Sequence, residues 1–537
     1  MTQPPPPPPP GLGPPQPPPP GGGFGPPVAP PPGGFGAPHP PAAPAYGFGP
    51  PTPYGPPAPP PPPPSPGKNI TRIVVAAVAA VALLVGGGVW YATTSGDGGD
   101  PSADPAPTAA DDGPGRERAP RDPAARLLFQ LPEPARDGLA DVGGSWLTDT
   151  AYIKPGIRSL VAHDLTSGAP RWTLPLPGQI CASSRHPSAD DRVAIVFEAA
   201  PRTGRGPGSG SFQPCTEVGA VDLTSGRLLW RTSVTSATSG DQKVRFREVT
   251  QSGETVAAGG TDGGAAFSLR TGAVLWKPTA AADRCRDLGY GGGPALVAVR
   301  SCGDYGDPQL TIQGLAPRDG TPLFSYRLPP GVAFASVVSS RPLVVAADVG
   351  DTAGRAGFSD LFSLDGEGAL RARIPATGDR FQARCRTAEV ERCTRMTVGN
   401  GRIYLPTTDH EGSVGTRQTN EIVSFDLATG KPTTGRAEAG DGYTLVPLRM
   451  DGGNVIAYKR PPYDKGGQVI TLDGTSFAAK TLLENPSDKR VRELETSFST
   501  DGAEYRYANG RLYVSTSLLG APSGMRKPLA VAFGTGG

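Results

Sequence analysis

The sequence lacks the short motifs that mark the common enzyme and metal-binding classes. It contains no Gly-x-x-x-x-Gly-Lys-Ser/Thr phosphate loop and no Gly-x-Ser-x-Gly nucleophile elbow, so nucleotide and serine hydrolase chemistry have no support. It has no Cys-x-x-Cys pair, and His163, His186 and His410 are scattered, which argues against a zinc site. The net charge of +2 is spread without a Lys/Arg block, so we expect no nucleic-acid-binding surface.

Residues 1–67 lack charge altogether and are dominated by proline. They contain 34 of the 67 prolines, with a few aromatic residues set in Gly and Pro. Such a segment buries too little apolar surface to offset its ordering entropy, so we predict a disordered tail of polyproline II character. Proline-recognising grooves bind this conformation, so such a groove is a candidate partner for the tail.

A single apolar run follows the tail. From Ile73 to Tyr91 there are 19 residues without a charge, and Trp90 and Tyr91 end the run as interfacial aromatic residues. This length predicts one transmembrane helix within residues 70–92, in contact with membrane lipid. A cleaved signal peptide is the competing interpretation, but the proline-rich leader is far longer than a signal-peptide n-region and no Cys follows for lipid attachment.

Charge around the apolar run predicts its orientation. Lys68 and Arg72 precede it, whereas residues 93–125 form an acidic segment that we interpret as a flexible linker. By the positive-inside rule the tail is cytoplasmic, and residues 126–537 lie outside the plasma membrane.

The remaining chain repeats one short phrase, seen most clearly as Asp164-Leu-Thr-Ser-Gly168 followed by Trp172 and as Asp222-Leu-Thr-Ser-Gly226 followed by Trp230. Apolar stretches flank each copy, so the phrase predicts two strands joined by a tight turn in which Gly supplies a positive φ. The glycines that we take as turn markers are Gly168, Gly226, Gly272, Gly320, Gly368, Gly430 and Gly474.

The spacing of these markers averages about 51 residues, with four strand-like pieces between most of them. A strand-rich repeat of this period is typical of a β-propeller. Three strand-like pieces remain after the seventh marker, and residues 126–131 supply a fourth. We therefore predict an all-β, eight-bladed propeller whose last blade is closed by its two termini, with seven blades as the alternative.

The Asp-x-x-Thr/Ser-Gly-x-x-x-Trp phrase resembles the repeat of the pyrroloquinoline-quinone (PQQ) propellers over roughly residues 126–537. That family includes dehydrogenases and non-enzymatic scaffolds of outer-membrane assembly. In the enzymes, the resemblance implies a ring formed by two adjacent cysteines, a calcium ion and a general-base Asp. This chain has no Cys-Cys pair, and Asp304, Asp307, Asp348 and Asp351 lie in turn-like contexts. We therefore expect no catalytic residue, no PQQ and no metal.

Two further residue sets have structural roles in this interpretation. Large aromatic residues after the turns are expected to pack between adjacent blades, because aromatic rings dominate burial in all-β cores; they are Trp172, Trp230, Trp276 and Phe324. All six cysteines follow the predicted span, and an even count in an oxidising compartment favours disulfides over free thiols. Sequential pairing within repeat units predicts Cys181–Cys215, Cys285–Cys302 and Cys385–Cys393.

The sequence leaves three alternative functions open. The first is a binding or scaffold propeller for a protein or ligand at the cell envelope, with insertions at residues 201–214 and 408–420 as candidate contacts or as plain surface loops. The second is a PQQ-dependent dehydrogenase. The third is a transmembrane sensor with a readout through the proline-rich tail. The Ala, Gly, Pro and Arg usage resembles that of actinobacterial cell-envelope proteins.

Overall fold

The computed structural model describes residues 115–135, 138–202, 213–237, 240–279, 284–303, 308–413, 417–440, 442–520 and 527–536. The predicted tail at residues 1–67 and the predicted span at residues 70–92 lie outside these described residues. Across the described ranges, no helix combines the length and the apolar character that crossing a membrane requires.

Eight four-stranded antiparallel sheets form the body of the protein, which confirms the eight-bladed propeller over the seven-bladed alternative. Each sheet is one blade, and its strands follow one another in the chain except in blade 8. Blade 1 consists of Trp146–Leu147, Ala151–Pro155, Ser159–Asp164 and Pro170–Pro175; blade 2 of Ile180–Ser183, Arg192–Glu198, Cys215–Asp222 and Arg227–Thr232; blade 3 of Glu248–Ser252, Thr255–Gly259, Ala265–Ser268 and Val274–Trp276; blade 4 of Arg286–Gly291, Leu296–Cys302, Gln309–Leu315 and Pro322–Arg327.

The second half of the ring repeats this pattern. Blade 5 consists of Ala335–Ser340, Leu343–Ala347, Asp360–Leu364 and Leu370–Pro375; blade 6 of Thr397–Gly399, Arg402–Pro406, Glu421–Asp426 and Pro432–Glu438; blade 7 of Thr444–Asp451, Asn454–Arg460, Gln468–Asp473 and Ala479–Glu484; blade 8 of Ala503–Ala508, Arg511–Thr516, Pro528–Thr535 and Ala125–Pro132. First strands of neighbouring blades contact one another, so they form the inner wall of the ring.

Short helices and two-stranded ladders lie outside the eight four-stranded sheets. Helix α1, Lys489–Thr496, begins after Asp488, whose side chain caps it by accepting a hydrogen bond from the Val491 amide. A 3-10 helix covers Gly354–Ala356. Three two-stranded ladders pair Ala140–Asp141 with Leu518–Leu519, Arg384–Cys385 with Cys393–Thr394, and His410–Glu411 with Gln418–Thr419.

The repeated turn phrase has a physical explanation in its Asp and its Gly. Asp164 Oδ1 accepts hydrogen bonds from the amides of Thr166 and Ser167, which folds the chain back on itself. Gly168 then adopts a φ of 69°, a left-handed conformation that costs little only without a Cβ. Positive φ values also occur at Gly226, Gly272, Gly320, Gly368 and Gly430.

The seventh marker was wrong. In blade 7 the residue with positive φ at the turn is Phe477, at 60°, and its amide donates to the Asp473 carbonyl as the turn glycines do. Gly474 lies three residues earlier in the same turn, and its φ is not positive. The Phe477 ring packs against Gly435 in the outer strand of blade 6. Here the aromatic residue is in the turn and the glycine is in the outer strand, which is the reverse of the contact between Trp172 and Gly226.

Aromatic rings from one blade cover the turn glycine of the next. Each of these glycines leaves no room for a Cβ, because the ring of the preceding blade already occupies that space. The pairs are Trp172 with Gly226, Trp230 with Gly272, Trp276 with Gly320, and Phe324 with Gly368. The Trp172 and Trp230 indole N–H groups also donate to the carbonyls of Leu223 and Leu269 in the next blade, at 3.2 and 2.7 Å.

The ring closes through Ala125–Pro132, which pairs antiparallel with Pro528–Thr535, as the sequence predicted. Phe129 on this strand packs against Gly168 of blade 1. Tyr152 of blade 1 stacks on Tyr513 of blade 8, with ring centroids 4.6 Å apart. The seam between blades 8 and 1 is therefore an apolar, aromatic interface.

A buried ion pair completes this seam. Lys154 Nζ in blade 1 donates to Glu504 Oε2 in blade 8 at 2.9 Å and to the Val142 carbonyl at 2.7 Å. Burial lowers the pKa of Lys154 and Glu504 opposes this shift. Because each charge depends on its partner away from water, the pair holds the two blades in one register.

The segment predicted as a linker, residues 93–125, contacts the propeller through Glu117. Glu117 already lies on the propeller, where Arg449 of blade 7 donates to its Oε1 at 2.6 Å. The Glu117 amide donates to Asp451 at 2.9 Å, and the Asn509 amide donates to Glu117 Oε2 at 3.1 Å. An acidic residue read as solvated linker is thus held by specific partners.

Candidate functional site

A cavity of about 500 Å³ lies on the axis of the ring. It is lined by first strands of blades 2, 3, 7 and 8, through residues such as Ser183, Glu248, Thr444 and Tyr505. The connection between blades 5 and 6 supplies the remaining wall. Because the first strands form the inner wall of a propeller, this cavity is part of the central channel.

A disulfide-closed loop crosses the channel. Residues 385–393, which we call the channel loop, leave blade 5 and return to blade 6 with Cys385 and Cys393 joined. The Val337 amide of blade 5 donates to the Val390 carbonyl at 2.7 Å. On the far side, the Gly292 amide of blade 4 donates to Glu391 Oε1 at 2.9 Å, and His186 Nε2 of blade 2 lies 3.1 Å from the same oxygen.

Glu248 of blade 3 anchors the tip of this loop. Its carboxylate accepts hydrogen bonds from the backbone amides of Val390 and Glu391. Burial raises the pKa of Glu248 well above its ordinary value, since the two amide hydrogen bonds oppose burial only in part and nearby Glu389 and Glu391 add repulsion. Burial therefore acts against the charged form of this carboxyl.

The pKa of Glu391 is shifted in the opposite direction to that of Glu248. Burial acts to raise its pKa, but the hydrogen bond and the charge of His186 outweigh burial and lower the pKa below its ordinary value. The neighbouring carboxylate of Glu389 receives Arg386 and Arg392 at 3.2 and 3.1 Å. These acids of the channel loop are committed to holding the loop.

Arginines and acids both line the cavity wall. Arg384 and Arg395 both pair with Asp501, at 2.6 and 2.8 Å. The side chains of Arg185 and Arg460 line the cavity and form no ion pair with a carboxylate of the described residues. Arg506 donates only to the Ser145 carbonyl, at 3.0 Å. Six acids line the same wall, and the charges of Glu391 and Glu504 act on Arg185 and Arg506 respectively.

The predicted residues lie mostly away from this cavity. The three predicted disulfides are present, and two of them, Cys181–Cys215 and Cys285–Cys302, brace the strands of blades 2 and 4. Asp348 accepts hydrogen bonds from the Thr352 and Ala353 amides, as expected for a turn residue. Asp304 and Asp307 lie outside the described residues, and the described residues contain no cluster of three or more His, Cys, Asp or Glu suited to a metal.

Of the two predicted contact loops, the one at residues 201–214 lies mainly outside the described residues. The insertion at residues 408–420 begins and ends as an exposed two-stranded ladder. His410 Nε2 lies 2.8 Å from Glu421 Oε1 and ties the base of the ladder to blade 6. The ladder therefore projects from a fixed base.

Sequence reasoning missed the channel loop, Glu248 and the cavity arginines. One signal was available: the segment from Arg384 to Arg395 is densely charged, falls in the longest interval between turn markers and carries two cysteines. A densely charged segment within an apolar repeat has to lie where its charges are paired or solvated. In a propeller such positions are in the central channel or on one of the two faces. Glu248 and Arg185 had no comparable signal, because their partners are distant in sequence.

Residues 215–476 match the family of outer membrane protein assembly factor BamB. This match, within a ring of eight four-stranded blades, supports a PQQ-like β-propeller. No curated protein matches the chain significantly.

Similar solved structures have low sequence identity to this chain. BamB from Moraxella catarrhalis is 12% identical, with 76% of this chain and 100% of that chain covered and a TM-score of 0.36. Sqt1 from Saccharomyces cerevisiae is 12% identical, with 74% and 98% covered and a TM-score of 0.38. The WD40 domain of SCAP from fission yeast is 10% identical, with 75% and 97% covered and a TM-score of 0.37.

Proposed function

We propose that this protein is an extracytoplasmic, non-catalytic binding or scaffold module at the cell envelope, held at the plasma membrane by one N-terminal helix. The apolar run at residues 70–92 and the charges that flank it support the anchor and its orientation. The BamB-like match over residues 215–476 supports a role in holding a protein partner. In this arrangement the proline-rich tail is cytoplasmic and the propeller faces outward.

The observation that carries this proposal is the channel loop. It crosses the central channel, and its acids Glu389 and Glu391 are engaged by neighbouring side chains. Glu248 holds the loop amides, and Glu391 holds His186 and the Gly292 amide. A carboxylate that holds backbone amides of the protein is poorly placed to act as a general base, because a base has to be within reach of a substrate proton.

Rigidity of the ring supports binding at its surface. Blade 8 combines both ends of the propeller, and the Lys154–Glu504 pair fixes the seam. A rigid disc presents its loops at fixed positions, which lowers the entropy lost on association. The exposed ladder of His410–Glu411 and Gln418–Thr419 is the contact surface that we assign first.

Site-specific photo-crosslinking in intact cells tests this function. A photoreactive residue at exposed Glu411 should capture one discrete protein, whereas the same residue at Leu323, which is 68% exposed on the outer strand of blade 4, serves as the matched control. Capture at Leu323 alone would move the contact surface to the blade edge. Absence of any discrete adduct at both positions would contradict the scaffold function.

Membrane topology is tested separately. Protease added to intact spheroplasts should remove the propeller and spare the proline-rich tail. Loss of the tail with an intact propeller would contradict the orientation.

A further inference from the structure

The exposed ladder of His410–Glu411 and Gln418–Thr419, which we call the blade 6 ladder, contains a titratable ring with a partner on each side. The side chain of His410 is 48% exposed, and both nitrogens of its ring face an oxygen of the protein. Nδ1 lies 3.0 Å from the Glu411 carbonyl oxygen. Nε2 lies 2.8 Å from Oε1 of Glu421, which begins the third strand of blade 6.

Both of these oxygens accept hydrogen bonds, so together they require two N–H groups on the ring. A carbonyl and an ionised carboxylate have no proton to donate, and a neutral imidazole carries a proton on one nitrogen only. A neutral ring would therefore turn the lone pair of its other nitrogen toward an acceptor. This holds for either tautomer, so the positions of the two oxygens fit the imidazolium form of His410.

The charges around His410 favour the same form. Asp409 on the ladder strand and Glu421 in blade 6 both attract the protonated ring. Burial acts to raise the pKa of Glu421, but hydrogen bonds from Thr407 and His410 outweigh burial and lower it. Arg436 on the outer strand of blade 6 also lowers the pKa of Glu421. The carboxylate that faces the ring is therefore ionised near neutral pH.

The second strand of the ladder is held without His410. Arg417 donates to Asp464 in blade 7 at 3.1 Å. Thr419 Oγ1 donates to the Gly440 carbonyl at 3.0 Å. Neither contact involves a histidine, so we expect this strand to keep its place through the neutral pH range.

The first strand depends on His410. It enters the ladder through Thr408, whose amide donates to the Arg380 carbonyl at 3.0 Å. Beyond Thr408, in the part of the chain that the structure describes, the strand is joined to blade 6 by the contact from His410 Nε2 to Glu421. Two residue pairs join it to the second strand, and so short a ladder is marginally stable by itself.

We propose that the blade 6 ladder responds to pH: its first strand is held against blade 6 while His410 is protonated and is released as pH rises. The consequence for binding rests on the scaffold function proposed above, in which this ladder is the contact surface. A partner that meets the held ladder should bind more weakly once the strand is released, because it then has to order the strand again.

The direction of the response follows from the same contacts. Hydrogen bonds to the Glu411 carbonyl and to Glu421 raise the pKa of His410 above its ordinary value. A group with a raised folded-state pKa contributes fully below its unfolded-state pKa, and this contribution is lost as pH rises through the folded-state pKa. The strand is therefore held on the acidic side of this transition and released on the basic side.

Electron paramagnetic resonance of a spin label tests the ladder in the full-length protein in detergent. Glu411→Cys provides the labelling position, because Glu411 is exposed and meets His410 through its backbone carbonyl. The native cysteines are all paired in disulfides, so they do not take the label. From about pH 5.5 to about pH 8.5 the ratio of mobile to immobile label should rise about twofold to fivefold, the range that an exposed ion pair supports.

Two variants in this background separate protonation from packing. His410→Ala removes the ring, so the label should be mobile at every pH. Glu421→Gln keeps an oxygen for the Thr407 hydroxyl and presents an N–H group to His410, so a neutral ring is also satisfied and the label should stay immobile at every pH. A label at Leu323→Cys, exposed on the outer strand of blade 4, is the matched control and should show no change with pH.

Photo-crosslinking at residue 411 over the same pH range relates the ladder to its partner. The yield of the captured protein should fall as the label becomes mobile, and a yield that does not change with pH would overturn the proposed effect on binding. No capture together with a pH-dependent label would contradict the scaffold function and support the pH response. Mobility that does not change with pH, that still changes in His410→Ala, or that changes equally at residue 323 would overturn the proposal.

Discussion

Closure of the ring depends on Phe129, and its replacement gives a quantitative test of the seam. The side chain is 8% exposed on the closing strand Ala125–Pro132. A Cβ at Gly168 of blade 1 would lie 2.5 Å from the Phe129 ring, and the Tyr513 ring centroid of blade 8 lies 6.2 Å away. Phe129 therefore contacts both sides of the seam.

Phe129→Ala removes this contact and leaves a cavity between two blades. Replacement of a buried Phe by Ala costs about 3 to 5 kcal/mol. Even the lower figure changes the unfolding equilibrium by roughly a hundredfold. The neighbouring Gln130 is exposed, so Gln130→Ala should change the free energy of unfolding by less than about 0.5 kcal/mol.

Urea unfolding monitored by tyrosine and tryptophan fluorescence measures both variants. Phe129→Ala should lower the midpoint clearly, and Gln130→Ala should leave it in place. Deletion of residues 126–131 should have a larger effect and promote aggregation, because it exposes two strand edges. Deletion of residues 94–113, which spares Glu117, should have almost none. Equal midpoints for Phe129→Ala and Gln130→Ala would refute closure through this strand.

Three further predictions concern the Lys154–Glu504 ion pair, the disulfides and His410. Lys154→Met should destabilise the protein by about 3 to 5 kcal/mol because it leaves Glu504 buried and unpaired, and Lys154→Met with Glu504→Gln should recover part of this loss in a double-mutant cycle. Non-reduced peptide mapping should recover three disulfides, each between cysteines consecutive in the sequence; six free thiols or crosslinks between blades would contradict this. NMR titration should find the pKa of His410 above its ordinary value, because hydrogen bonds to Glu411 and Glu421 favour the protonated ring. The stabilisation from these contacts should be complete below the unfolded-state pKa of His410 and lost as pH rises through the folded-state pKa, and Glu421→Gln should reduce the shift without abolishing it, because the hydrogen bond to the Glu411 carbonyl remains.

The propeller itself could be predicted because its determinants are local. Each turn requires an Asp to accept amide hydrogen bonds and a Gly to adopt a positive φ, and both lie within five residues, as Asp164 and Gly168 do. The prediction that a glycine occupies the left-handed position of every turn failed in blade 7. Phe477 has the positive φ there, and Gly474 does not. The partner of Phe477, Gly435, lies in another blade.

The candidate site could not be predicted because its contacts are distant in sequence. Glu248 meets Val390 across 142 residues, and Lys154 meets Glu504 across 350. No spacing rule relates such pairs until the order of the blades is known. Arg185, Arg460 and Arg506 likewise come together only because the ring closes.

We propose above all that this PQQ-like propeller binds a partner and does not catalyse a reaction. The most direct measurement is turnover of alcohols and sugars by the purified protein supplied with PQQ and calcium, followed by reduction of an artificial electron acceptor. The account predicts a rate equal to that of the heat-denatured control. Turnover well above that control would contradict the claim.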